Sequence, residues 1–95
     1  MPSHARTRQF ERDWRRLRAA DRDRYRFAFR KFDADLGADR FRPGLRVKGV
    51  QGAPGVFEMT WAPDGRATFE YGVSQGVGPH VIWRRIGTHA VLDVP

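Results

Sequence analysis

The chain has 95 residues, 40% hydrophobic and 13% aromatic, which fits one folded domain over residues 1–95 and excludes a disordered tail. It has no cysteine, which excludes disulfides and thiolate metal sites, and no apolar run near the roughly 20 residues that cross a bilayer. The net charge is +7, and the excess is confined to one half: residues 1–48 hold 15 Lys and Arg against 7 Asp and Glu, residues 49–95 hold 3 against 4.

Residues 7–19 predict a first helix, because Phe10, Trp14 and Leu17 recur at helical spacing with arginines on the other faces. Ala20 and Asp21 predict a break, with Asp21 as the cap of a second helix ending near Leu36. Tyr25, Ala28, Phe29, Phe32 and Leu36 form its apolar stripe, and Gly37 predicts a left-handed helix end. The stretch before the first helix, residues 1–8, is a poor strand. It is basic but no apolar segment follows it, so no signal peptide is expected and the cytoplasm is the expected location.

A loop is predicted over 38–44 and a strand over 45–50, where Leu45 and Val47 alternate with Arg46 and Lys48. The alternating segments 56–61 and 66–71 predict a hairpin through Pro63-Asp64-Gly65, with Gly65 left-handed. That register sets Trp61 opposite Ala67, Met59 opposite Phe69 and Phe57 opposite Tyr71 on the buried side. The other side, expected to stay open, carries Glu58, Thr60, Arg66, Thr68 and Glu70. Glu58 would then face Glu70, an unfavourable pairing that Arg84 or Arg85 would relieve. A flexible connection at 72–79 leads to a last strand, His80-Val81-Ile82-Trp83-Arg84-Arg85-Ile86, breaking at Gly87 before His89. The fold expected is α+β: a helical hairpin (about 7–37) on one face of a three- to four-stranded antiparallel sheet (about 45–89).

The chemistry is narrow. His4, His80 and His89 lack ligand spacing, Ser3 and Ser74 sit on no nucleophile elbow, and no glycine loop precedes a helix to cradle a phosphate. No metal or cofactor is expected. Cleavage of RNA asks for less, since the ribose 2′-hydroxyl is itself the nucleophile. Histidine moves protons near neutral pH and arginine forks match phosphate oxygens. An aromatic beside cations stacks unpaired bases. His89, Arg85, Arg66, Lys48 and Trp83 supply these elements. A basic first half also fits an acidic protein partner.

Two helices, a polar-faced sheet and the ending Arg85-Ile86-Gly87-Thr88-His89 resemble the RelE/ParE superfamily of bacterial toxins, and within it the YafQ branch of ribosome-dependent mRNA interferases. The resemblance implies a toxin that cuts mRNA without metal and is held inactive by an acidic antitoxin. It implies that Arg85 contacts the scissile phosphate, that His89 transfers a proton, and that Asp64 is an acidic site residue. Arg66 joins this catalytic set, while Arg46, Lys48, Trp83 and Arg84 are expected to bind RNA. Relatives carry an arginine where Thr60 stands and an aromatic where Asp93 stands. Two alternatives therefore remain open: a non-cleaving member of the fold, such as the ParE-like gyrase inhibitors, and a basic nucleic-acid- or protein-binding module. No membrane partner is expected.

Overall fold

The computed structural model describes residues 2–38 and 40–95. Met1, in the stretch read as a poor strand, and Asp39, in the predicted loop, lie outside the described residues. The order is β1 (Ser3–Arg6), α1 (Arg8–Arg16), α2 (Ala19–Gly37), a 3-10 turn (Pro43–Leu45), β2 (Lys48–Gly49), β3 (Phe57–Thr60), β4 (Gly65–Gly72), β5 (His80–Thr88) and a second 3-10 turn (His89–Asp93). The sheet runs β1-β5-β4-β3-β2. It has five strands and is mixed, which corrects the expected three or four antiparallel strands.

The difference is β1, which pairs parallel with β5 from Ser3↔His80 to Arg6↔Trp83. Ser-His-Ala-Arg shows no apolar alternation, because the residue it sends to the core is a histidine. The Trp83 indole N–H donates to His4 Nδ1 at 3.2 Å, and His4 Nε2 bonds Asp33 of α2 at 2.8 Å. With Nδ1 accepting, Nε2 carries the proton. A polar strand is thus fixed to the core by two hydrogen bonds.

Thr7 starts α1, its hydroxyl accepting from the Phe10 N–H at 3.0 Å. The break falls at Leu17 and Arg18, both extended, three residues earlier than predicted. Leu17 is anchored against the core, so the chain turns there. Asp21 is therefore not the cap. It lies in the first turn of α2, where a carboxylate favours the helix dipole, and pairs with Arg24 at 2.8 Å. Gly37 stays helical, and Ala38 ends the helix at φ −90°. Phe10, Tyr25, Ala28, Phe32 and Leu36 pack against Met59, Ala67, Phe69, Val81, Trp83 and Ile86, so both helices cover one face of the sheet.

The predicted strand at 45–50 shrinks to Lys48–Gly49. Pro43 favours a 3-10 turn, and Arg46 after it is left-handed at φ 49°. In the hairpin, Phe57 pairs with Phe69 and Met59 with Ala67, two residues from the expected register. An even slip leaves every side chain on its expected face, because strand side chains alternate with period two. It also puts Thr68, not Glu70, opposite Glu58. Gly65 is not left-handed. A Cβ there would lie 2.6 Å from the Trp61 ring, so glycine serves the close approach of the indole.

Candidate functional site

The ending Arg84-Arg85 is built by a β-bulge. The β4–β5 register shifts between Thr68 and Phe69, so Thr68 faces Arg85 while Phe69 faces Trp83. The extra residue lets Trp83 and Ile86, three apart, both reach the core at 1% exposure. Strict alternation would have sent Arg85 inward with Trp83. Trp83, expected to stack a base, is instead the centre of the core, ringed by Phe10, Tyr25, Phe29, Phe32 and Phe69. It has no free ring face, and that reading is corrected.

Asp13 of α1 closes the bulge. Its carboxylate accepts from Arg85 Nε at 2.8 Å, Arg85 Nη2 at 3.2 Å, the Ile86 backbone N–H at 3.1 Å and Gln9 at 3.2 Å. Burial pushes the Asp13 carboxyl up, but the hydrogen bonds from Arg85, Ile86 and Gln9 together hold it below its ordinary value. Sequence reading missed Asp13. The signal was there: an acid three residues after Phe10 and next to Trp14, on the apolar side of an arginine-rich helix.

The side of the sheet away from the helices is not open as expected. Val91 packs on Gly87, where a Cβ would come within 2.9 Å of it, so Gly87 admits the returning turn and does not end the strand. The Thr88 hydroxyl caps that turn through the Ala90 N–H at 3.3 Å. The chain then lies over the arginines. The Pro95 carbonyl oxygen accepts from Thr68 Oγ1 and Arg84 Nε, both at 3.1 Å, and the Val94 carbonyl from Arg85 Nη1 at 3.1 Å. Arg84 also meets Glu70 at 3.3 Å, as expected of one of the two arginines. Glu58 is buried at 6% exposure, 3.7 Å from Arg66.

Gly65↔Thr88 and Arg66↔Gly87 pair across β4–β5, which brings the Asp64 turn and Arg66 next to the start of the His89 turn. The exposed Asp64 carboxylate accepts weakly from the His89 backbone N–H at 3.4 Å. Arg66 braces the hairpin turn, its Nη1 donating to the Gly65, Pro63 and Ala62 carbonyls at 3.0–3.4 Å. The rest of the expected set is dispersed. Lys48 is exposed opposite Glu58. Arg46 lines a groove on the α2 side with Arg24, Lys31, Arg42 and Arg66. Among the described residues, no three His, Cys, Asp or Glu side chains could hold a metal ion together. Among the described residues, no helix is long and apolar enough to cross a membrane.

No family model and no curated protein matches the sequence. Solved structures do match its fold. YafQ in the Escherichia coli DinJ–YafQ complex superposes with a TM-score of 0.68 at 14% identity, over 97% of this chain and 98% of that one. A metal-bound toxin from Helicobacter pylori gives 0.65 at 14% identity, over 97% and 99%. The RelB–RelE antitoxin–toxin complex from Methanococcus jannaschii gives 0.62 at 13% identity, over 95% of both chains. The chain has the RelE/YafQ fold over nearly its whole length.

Proposed function

We propose that this chain, folded as the YafQ and RelE toxins are, is the toxin of a type II toxin–antitoxin pair, acting in the cytoplasm to cut mRNA on the ribosome and restrained by an acidic antitoxin. The observation that carries the reading is the convergence of Asp64, Arg66 and His89 at one end of β4–β5, beside a second group of donors on Thr68, Arg84 and Arg85. Those donors already grip the carbonyl oxygens of Val94 and Pro95. Oxygens of a phosphodiester would take the same hydrogen bonds once the tail lifts.

In this mechanism the 2′-hydroxyl passes its proton to solvent water as it attacks phosphorus, the bond to the 5′-oxygen breaks, and a 2′,3′-cyclic phosphate forms. The exposed imidazole of His89 gives the leaving oxygen its proton. Arg84 and Arg85 balance the charge gathering on the phosphate, with Arg85 aimed by its fork on Asp13. Asp64 and Arg66 hold the two ends of the turn against which His89 sits, and Lys48 meets the RNA further out.

The test is induction of the chain with transcript ends mapped. Growth arrest with new mRNA ends is expected, and His89→Ala should slow cleavage about 10²–10⁴-fold. A loss under tenfold removes His89 from proton transfer. A second reading, a non-cleaving member that inhibits gyrase by protein contact, is favoured by the Asp13–Arg85 pair, which commits two arginine donors to the protein itself. It expects arrest with intact mRNA and damaged DNA.

A further inference from the structure

A groove of about 460 Å³ lies between α2 and the β3–β4 hairpin, away from the tail-covered arginines. Its walls carry Arg24, Phe27 and Lys31 from one stripe of α2, Arg42 and Arg46 from either end of the 3-10 turn, and Arg66 from β4. No carboxylate stands among the described residues that line it. Arg24, Arg42 and Arg66 are compensated from behind by Asp21 at 2.8 Å, Asp35 at 2.7 Å and Glu58 at 3.7 Å. Lys31 and Arg46 have no acidic partner among the described residues. Lys31 sits 4.1 Å over the Phe27 ring, and Arg46 is the one described non-glycine residue at positive φ, 49°. A left-handed arginine is strained, and such strain gathers where a ligand is gripped. Phe27, at 56% exposure, offers a largely solvent-facing apolar ring beside that ammonium.

We propose that this groove docks an acidic segment of a partner protein, with carboxylates on Lys31 and Arg46 and one apolar side chain against Phe27. Its cationic walls and the exposed Phe27 ring complement such a segment. Stacked bases fit less well. One Phe27 face holds the Lys31 ammonium, and one Trp61 face lies against the Gly65 backbone. The inference deepens the toxin reading, which supplies an acidic antitoxin as the partner but no surface for it, and it rests on that reading only for the partner's identity.

The experiment measures binding of the whole chain to three labelled probes: a glutamate–tyrosine copolymer, polyglutamate and an oligouridylate. The copolymer should bind more tightly than polyglutamate. Lys31→Glu combined with Arg46→Glu should weaken it about tenfold or more, and Phe27→Ser by about tenfold. Arg30→Glu, an exposed cation outside the groove, should leave it within twofold. Thermal unfolding checks that each variant is folded. Copolymer binding unchanged by the groove variants, or lost equally with Arg30→Glu, overturns the proposal. So does oligouridylate binding that alone follows those variants. Cleavage is not read here, so loss of the groove leaves the nuclease reading standing, and absence of mRNA cutting leaves the groove.

Discussion

Removing the Asp13 carboxylate should destabilise the fold far more than removing any other acid on α1 or α2. Asp13→Ala removes the acceptor of four hydrogen bonds at once: two from the Arg85 fork, one from the Ile86 N–H and one from Gln9. A buried backbone N–H left without an acceptor costs about 1–3 kcal/mol, and breaking a buried ion pair from one side costs about 3–5 kcal/mol. The Arg85 side chain is 24% exposed, so part of its guanidinium can turn to water and the lower end applies. The expected loss is about 3 kcal/mol, or a Tm drop of about 12–24 °C in a domain this size. Asp13→Asn keeps an acceptor for Ile86 and should cost less than Asp13→Ala. Urea unfolding of wild type, Asp13→Ala, Asp13→Asn, Arg85→Met and the Asp13→Ala/Arg85→Met pair measures this, the double variant being clearly less than additive. A loss under about 1 kcal/mol for Asp13→Ala would refute the reasoning, since it would mean that water satisfies the bulge and the pair is an ordinary surface contact.

Stability should fall as pH drops below about 4. Asp13 is held below the ordinary carboxylate value, and Asp35 is lowered to about 2 by hydrogen bonds from the Arg42 side chain and backbone. A lowered native value gives stability present above the unfolded value and lost as pH falls through the native one. Asp35→Asn should flatten the acid limb, read as the urea midpoint against pH. Gly65→Ala should cost about 1–3 kcal/mol by forcing the Trp61 indole off its 2.6 Å approach, seen as a lower Tm with altered tryptophan fluorescence. Thr7→Ala removes both the cap to Phe10 and the hydroxyl bond to the Arg84 carbonyl at 2.8 Å, and should cost about 1–2 kcal/mol in the same unfolding assay.

The sequence by itself determined what repeats locally. Phe10, Trp14 and Leu17, then Tyr25, Ala28, Phe32 and Leu36, mark two helix faces because a helix returns to the same side every 3.6 residues. Alternation marked the hairpin, and its buried and polar sides came out right despite a register two residues off, since an even slip preserves the faces. Tertiary structure decided the rest, because its partners lie far apart along the chain. Four residues without apolar alternation became a strand only where β5 offered a parallel edge and Trp83 an indole N–H for His4. Arg85 reads from sequence as a free cation, yet an aspartate 72 positions earlier takes its fork, and the bulge that places it leaves no periodic trace. Composition puts cations on the chain, and only the folded contacts divide those held by an acid, such as Arg42 and Arg85, from those, such as Lys31 and Arg46, with no acidic partner among the described residues.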